Sequence, residues 1–155
     1  MPDVFTKRKR SEMMSRIRGR GNKETELVLA TLFRRHRING WRRNQPVFGK
    51  PDFVFPNARL AVFVDGCFWH ACPKHSNMPA NNRAFWRKKL TGNKARDRVV
   101  NKALRRAGWR VVRIWEHELP QGRSAKDEGR RRKLAERFRK VLEKDDEITK
   151  TRKTE

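Results

Sequence analysis

The longest uninterrupted apolar segment of this chain, residues 60–64 (LAVFV), constrains the fold more than any other feature of the sequence. Its β-branched and aromatic residues predict a strand, and a strand that is apolar throughout must be covered on both faces. The segment therefore predicts the centre of a sheet with helices on each side. A chain of 155 residues has room for one domain of ordinary size around such a strand. The segment is far shorter than the roughly 20 apolar residues that cross a bilayer, so no membrane span is predicted.

Hydrophobic periodicity and turn residues predict the other elements of the domain. Helices are expected over residues 25–36, 83–90, 94–107 and 124–143, with Gly108 as a C-terminal cap. Further strands are expected over residues 41–47, 52–55 and 109–115. The order of these elements predicts an α/β fold with a central mixed sheet flanked by helices.

The charge of the chain predicts an anionic partner. Lys and Arg number 41 against 17 Asp and Glu, which gives a formal net charge of +24. Nucleic acid is the first candidate and an acidic membrane surface the second. We expect residues 1–22 to form a basic N-terminal arm, residues 23–144 the folded domain and residues 145–155 a polar C-terminal tail. The start of the chain lacks an apolar signal segment and there are only two cysteines, so a cytoplasmic protein is expected.

Carboxylates are scarce in the middle of the chain. Residues 27–115 hold 20 Lys and Arg but only three acids, Asp52, Asp65 and Asp97. Isolated acids in a basic groove suit the hydrolysis of a phosphodiester, which needs a hard cation such as Mg²⁺ held by a few carboxylates. The alternative is purely structural, with Asp52 beginning a strand and Asp97 paired with a neighbouring arginine on a helix.

Four of the six cysteine and histidine residues lie within nine positions, which predicts a metal site. Cys67, Cys72 and His75 offer three ligands for a structural Zn²⁺, and His117 is the best candidate for the fourth. The alternative is a pair of buried free cysteines. His70 is left over in this assignment, next to the carboxylates, where an imidazole can act as a general base or acid.

Phe68 and Trp69 are large aromatic residues on this otherwise polar loop, and Trp86 follows on the next predicted helix. Aromatic wedges can enter a DNA stack and separate a base step. Packing in the protein core is the alternative for each of them.

Several motifs together resemble the very-short-patch repair (Vsr) DNA mismatch endonuclease family. They are GCFWH at residues 66–70, PDFV at 51–54, RDR at 96–98, GWRV at 108–111, IWE at 114–116 and MSRIR at 14–18. The resemblance covers residues 10–142 approximately. It implies a restriction-endonuclease-like fold and a Mg²⁺-dependent enzyme. Such an enzyme nicks double-stranded DNA 5′ to the thymine of a T·G mismatch left by deamination of 5-methylcytosine.

The resemblance also implies roles for individual residues. Asp52 and the main-chain carbonyl of Val64 would bind the metal, and Glu26 would border the metal site. His70 would act on the attacking water, with Asp97 orienting it. The family's structural zinc would fall on Cys67, Cys72, His75 and His117, and its intercalating aromatics on Phe68, Trp69 and Trp86.

Two departures from the family pattern leave alternatives open. Asp65 stands where well-known members have a second histidine, so it is either part of the proton-transfer machinery or an extra metal ligand. The spacing of the zinc ligands fits a related subgroup. A nickase of relaxed or different specificity in restriction or defence is therefore an alternative function, as is a zinc-stapled DNA-binding module without catalysis. We expect a monomer in a prokaryotic cytoplasm, associated with the nucleoid.

Overall fold

A computed structural model describes residues 6, 8, 23–75 and 77–152 of the chain. Side chains are described for residues 6, 8, 25–75 and 77–144. The predicted N-terminal arm, including its MSRIR motif, lies outside the described residues apart from Thr6 and Arg8. None of the described helices has an apolar stretch sufficient for crossing a bilayer.

The described elements are three helices and three strands in the order α1, β1, β2, α2, β3, α3. They are α1 Lys23–Arg35, β1 Phe53–Phe55, β2 Leu60–Asp65, α2 Arg83–Arg106, β3 Arg110–Trp115 and α3 Ala125–Arg152, with a 3-10 turn Glu116–Glu118 after β3. β2 is the central strand; it pairs with β1 antiparallel and with β3 parallel. The predicted α/β fold with a mixed central sheet flanked by helices is confirmed.

Each face of the sheet packs against helices, as the apolar β2 requires. On one face, Leu60 and Val62 pack with Phe33 of α1 and Phe138 of α3 in the larger core. On the other face, Ala61 and Phe63 pack with Val100 and Leu104 of α2. Because successive strand residues point to opposite faces, every apolar residue of β2 has a partner in one of the two layers.

Two predictions of secondary structure are wrong. Residues 41–47 do not form a strand among the described elements, since only Arg42 pairs, as an isolated bridge to Val54. Asn44 adopts a left-handed φ of 53° and Pro46 has no N–H to donate, so the extended conformation ends there. The two helices expected over residues 83–107 are one continuous helix through Gly92. Leu90, Val100 and Leu104 are buried, and the packing of Val100 and Leu104 on the sheet offsets the roughly 1 kcal/mol that an interior glycine costs.

Two smaller features differ from expectation, and a third is confirmed. β3 is an edge strand in which only Ile114 is fully buried, rather than a buried strand. α3 runs to Arg152, beyond the end predicted at residue 143. Gly108 does cap α2, with a φ of 83° and a bond from its N–H to the carbonyl of Arg105.

One glycine holds the loop that precedes β1 against α2. Gly49 has a φ of 79°, and a Cβ at this position would lie 2.3 Å from a Cγ atom of Val100. Any other residue would have to displace the Val100 side chain and adopt a left-handed φ. The contact fixes the loop three residues before Asp52, one of the predicted site residues.

Candidate active site and metal centre

The turn after β2 places the side chains of His70 and Cys72 in two different groups of residues. The N–H of Cys72 donates to the carbonyl of Cys67 at 2.9 Å, and that of Ala71 donates to the carbonyl of Phe68 at 3.3 Å. Ala71 has a φ of 51°, the left-handed position of a Schellman turn that glycine usually occupies. The reversal at Ala71 directs His70 toward α2 and Cys72 toward the end of β3.

The four predicted zinc ligands converge. The ligand atoms of Cys67, Cys72, His75 and His117 all lie within 4.8 Å of one another. The Cys67 Sγ to His117 Nδ1 distance is 3.3 Å, and the distances from Cys72 Sγ to His117 and His75 Nδ1 are 3.6 and 3.8 Å. Ligands about 2.0–2.3 Å from a tetrahedral ion lie about 3.6 Å apart. The donor set and its spacing therefore fit a four-coordinate metal ion.

Burial shifts the pKa of both Cys67 and His117 in this cluster. Both cysteines are buried and form no disulfide. Burial raises the pKa of Cys67 to about 11, and the neighbouring sulfur of Cys72 adds to the shift. Burial and the nearby His75 lower the pKa of His117, which favours the neutral imidazole that binds metals. A bound cation would supply the charge that stabilises the thiolates.

His70, Asp97 and Asp65 form a second cluster on the α2 side of the sheet. His70 Nδ1 lies 2.6 Å from Asp97 Oδ2, and His70 Nε2 lies 3.9 Å from Asp65 Oδ1. Burial disfavours the charged imidazole. The hydrogen bond that His70 donates to Asp97 and the charge of Asp65 outweigh that effect, and the pKa of His70 is raised. The arrangement orients an imidazole by a carboxylate, as general base catalysis requires.

Asp52 lies at the start of β1 and is anchored across the sheet to β2. The N–H of Val64 donates to Asp52 Oδ2 at 2.7 Å. Burial raises the pKa of Asp52 to about 7; the Val64 bond opposes this shift, and the carboxylates of Glu26 and Asp65 add to it. Asp52 and Glu26 line a cleft of about 470 Å³ beside Lys50. A buried carboxylate beside other carboxylates is a site that attracts a hard cation.

The predicted catalytic residues therefore fall into two adjoining groups. Asp52 lies with Glu26 in the cleft and is not part of the cluster of Asp65, His70 and Asp97. Glu26 is buried and forms an ion pair with Arg43. The backbone of Val64, next to Asp65, connects the two groups.

The three predicted wedge residues form an aromatic cluster outside both hydrophobic cores. The ring centroid of Phe68 lies 5.1 Å from Trp69 and 5.4 Å from Trp86. All three side chains are only partly buried, and Phe85 next to them is 57% exposed. The ammonium group of Lys89 lies 5.4 Å from the Trp69 ring. An aromatic surface with a cation above it is a suitable platform for nucleic-acid bases.

Comparison with known proteins identifies the family. A family model described as DNA mismatch endonuclease Vsr matches residues 2–76. The type II nicking enzyme V.NaeI of Lentzea aerocolonigenes is 45% identical over 113 residues, covering 70% of this chain and 68% of that protein. The DNA mismatch endonuclease Vsr of Escherichia coli is 34% identical over 137 residues, covering 88% of this chain and 87% of that protein. The chain belongs to the Vsr family of DNA endonucleases.

A third relative also matches most of this chain. The type II nicking enzyme V.NmeAIP of Neisseria meningitidis is 39% identical over 124 residues, covering 77% of this chain and 85% of that protein. The mixed sheet between helices is consistent with the restriction-endonuclease-like fold of the Vsr family. The protein is a DNA endonuclease, and DNA is its partner.

The structure also shows residues of this Vsr-family site that the sequence did not indicate. Arg113 of β3 binds Asp65 through Nη1 at 2.7 and 3.0 Å, and its Nη2 lies 3.5 Å from Asp97. Asn93 of α2 donates to the main-chain carbonyl of Trp69 at 3.0 Å. In the register of β2 and β3, Phe63, Asp65 and Arg113 lie on one face of the sheet. That alternation is the signal in the sequence that could have predicted the pair of Asp65 and Arg113.

Proposed function

We propose that this protein is a Mg²⁺-dependent nicking endonuclease that cuts 5′ to the thymine of a T·G mismatch in double-stranded DNA. One observation carries the proposal. The oriented imidazole of His70 directly follows Trp69 of the aromatic cluster on a single hydrogen-bonded turn. Insertion of the aromatic side chains at a distorted base pair would therefore deliver His70 to the adjacent phosphate.

In this proposal His70 activates the attacking water. Asp97 accepts a hydrogen bond from Nδ1–H and so fixes the tautomer in which Nε2 carries the lone pair. Nε2 takes the proton of the water as its oxygen attacks the phosphorus, and the bond from phosphorus to the leaving ester oxygen breaks. The growing positive charge on the imidazole is stabilised by Asp97 and by Asp65, whose carboxylate is 3.9 Å from Nε2.

Asp52 and the main-chain carbonyl of Val64 are proposed to hold Mg²⁺, with Glu26 bordering the site. The oxygen donors of Asp52 and its raised pKa fit a hard divalent cation. When bound, Mg²⁺ supplies polarisation of the phosphate and stabilisation of the leaving oxygen. Within the protein, the Val64 N–H holds the Asp52 carboxylate in place at the edge of the cleft.

The Cys67, Cys72, His75 and His117 cluster is proposed to hold a structural Zn²⁺. Two sulfur and two nitrogen donors are the composition that zinc prefers in a closed, four-coordinate site. The ion would tie the turn after β2 to the 3-10 turn after β3. The zinc would thereby fix the turn that carries Trp69 and His70.

Mismatch selectivity is proposed to arise from the aromatic cluster. Unstacking a base step costs a few kcal/mol, and the cost is lower where the base pair is already distorted. Phe68, Trp69 and Trp86 lie outside the hydrophobic cores and so are not needed to fill them. Their insertion would be cheaper at a T·G pair than at a matched pair.

Affinity for the DNA backbone is proposed to come from basic surfaces such as one on α2. Arg98, Lys102, Arg105 and Arg106 line a groove of about 490 Å³ together with Asn101. No ion pair joins these four cations to a carboxylate among the described side chains. The active form is proposed to be a monomer.

A second candidate function is nicking in a restriction setting, at matched or modified DNA. The observation that favours it is that relatives at 45% and 39% identity are named type II nicking enzymes. In this case the same catalytic residues cut the DNA, and the aromatic cluster contributes less to the choice between mismatched and matched DNA.

The endonuclease activity is tested with a covalently closed plasmid that carries one T·G mismatch. With Mg²⁺ the wild type should convert the closed circle to a nicked circle, whereas Asp52→Asn and His70→Ala should not. Glu136→Gln, which removes an exposed charge on α3, is the matched control and should nick like the wild type. Nicking by Asp52→Asn at the wild-type rate would contradict the assigned site.

A further inference from the structure

Arg113 contacts both carboxylates that flank His70. Its Nη1 donates to Asp65 Oδ1 at 2.7 Å and to Oδ2 at 3.0 Å, and its Nη2 lies 3.5 Å from Asp97 Oδ1. Asp65 precedes the turn after β2 and Asp97 lies in the middle of α2. One guanidinium group thus links the strand, the helix and the histidine between them.

The other contacts of Arg113 keep its guanidinium in place. Nε donates to Asn101 Oδ1 at 2.9 Å, and the guanidinium carbon lies 4.3 Å from the centre of the Phe63 ring. The side chain is 20% exposed. Because all three nitrogens of the planar fork face a partner, Arg113 is committed to the protein rather than available to a phosphate.

The two ring nitrogens of His70 face different carboxylates, Nδ1 facing Asp97 and Nε2 facing Asp65. Asp97 uses Oδ2 for His70 Nδ1 and turns Oδ1 toward Arg113. Asp65 gives both oxygens to Arg113, and its nearer oxygen remains 3.9 Å from His70 Nε2. If the guanidinium were removed, Asp65 could bind His70 through a protonated Nε2, which is 3.9 Å away. Such a bond would occupy the edge of the imidazole that must face water.

We propose that Arg113 is a positioning residue, which clamps Asp65 and Asp97 so that His70 is held by Nδ1 and keeps Nε2 open to the attacking water. The inference rests on the proposed function of His70. It assigns Asp65 to an ion pair with Arg113 rather than to the metal. Arg113 itself touches neither substrate nor reacting atoms.

A single replacement of Arg113 does not test this proposal, because it also leaves the buried charge of Asp65 unpaired and lowers stability. The double variant Asp65→Asn/Arg113→Met removes both charges and should unfold at nearly the wild-type temperature. If Arg113 only neutralised Asp65, this variant would regain nicking. Under the proposal its kcat stays about 100-fold low with KM little changed, because Asp97 still lacks the Arg113 contact that holds it against His70. A misplaced catalytic group costs rate rather than binding.

Arg113→Lys gives an independent measurement. Lysine keeps the positive charge beside Asp65 but lacks the planar fork that reaches Asp65, Asp97 and Asn101 together. We expect this variant to retain most of the stability while its kcat falls about 10-fold or more. Full activity of Arg113→Lys would show that charge alone suffices and would overturn the clamp.

The matched control is an arginine–carboxylate pair remote from the site. Arg131 donates to Glu128 at 3.0 Å on α3, and its side chain is 16% exposed, close to the value for Arg113. Glu128→Gln/Arg131→Met should leave kcat on a T·G duplex unchanged.

All variants are measured by single-turnover nicking of a T·G duplex, with thermal unfolding of each protein and with the wild type and His70→Ala as references. Wild-type kcat in the Asp65→Asn/Arg113→Met variant, while His70→Ala is inactive, overturns the inference on Arg113 alone. Absence of nicking by the wild type, or full activity of His70→Ala, overturns the proposed function and this inference with it.

Discussion

The imidazole Nδ1 of His70 lies 2.6 Å from the carboxylate Oδ2 of Asp97, although 27 residues separate the two in sequence. His70 lies on the turn after β2, and Asp97 lies midway along α2. The bond therefore requires that the turn and the long helix keep their relative position, which the packing of Phe63 on Val100 and Leu104 ensures.

Replacing Asp97 with asparagine should lower the nicking rate on a T·G duplex by about 100-fold or more. The amide can donate to Nδ1 and so favour the tautomer in which Nε2 carries the proton and cannot accept one. The measurement is single-turnover nicking at saturating protein, compared with Glu136→Gln as an exposed control. A rate within threefold or so of the wild type would show that Asp97 does not orient His70.

Removing one ligand of the Cys/His cluster should lower both bound metal and stability. Protein purified without added metal should contain about one zinc per chain, and His117→Ala or Cys67→Ser should lose most of it together with several kcal/mol of unfolding free energy. His36→Ala is the matched control, because His36 lies outside the cluster. Elemental analysis with thermal unfolding makes the measurement; full zinc content in His117→Ala would mean that another residue is the fourth ligand.

The stability of the protein should depend on pH through Asp52. Burial raises its pKa from 3.8 to about 7, so the folded protein keeps a proton that the unfolded chain releases between about pH 4 and pH 7. The free energy of unfolding should therefore fall as pH rises through this window and then level off, by up to about 4 kcal/mol relative to Asp52→Asn.

Mg²⁺ should reverse that loss at neutral pH, because it binds the ionised carboxylate. The experiment compares the unfolding of wild type and Asp52→Asn across pH, with and without Mg²⁺, in buffer free of chelator so that the Cys/His cluster keeps its ion. Parallel pH curves for the two proteins would contradict the raised pKa. An equal effect of Mg²⁺ on both would contradict Asp52 as a ligand.

Ala71→Gly should stabilise the protein by about 0.5–1 kcal/mol. Ala71 adopts a φ of 51° at the left-handed position of the turn after β2, where a side chain costs energy that glycine does not pay in the folded state. Ala95→Gly, at an exposed position inside α2, is the control and should destabilise by about 1 kcal/mol. Denaturant unfolding measures both; destabilisation by Ala71→Gly would show that the turn is not strained.

Much of the fold and of the candidate metal centre follows from short stretches of sequence. The apolar residues 60–64 require cover on both faces, which is what α1, α3 and α2 provide. Cys67, Cys72 and His75 lie close in sequence, and His117 follows the strand that pairs with β2 in parallel register. Such features are predictable because local pattern and strand order determine them.

The features that the sequence did not predict depend on contacts between distant residues. Arg113 interrupts an apolar strand, and its partner Asp65 lies 48 positions earlier. Neither residue alone therefore predicts that the two form an ion pair. Gly92 is a residue that favours a helix break, but packing of Val100 and Leu104 on the sheet stabilises a helix that continues through it. Residues 41–47 have strand-like composition, but the bend at Asn44 limits pairing to Arg42.

The most direct test of the proposed function is the ratio of nicking rates on T·G and C·G duplexes of the same flanking sequence, measured under single-turnover conditions with Mg²⁺. A duplex with 5-methylcytosine opposite guanine serves as the third substrate. We predict that the wild type prefers T·G by at least about 100-fold, and that Trp69→Ala lowers this ratio while Phe85→Ala, an exposed neighbour, does not. Equal rates on all three duplexes with the wild type, or faster nicking of the matched or methylated duplex, would contradict mismatch recognition and favour the restriction-type nickase.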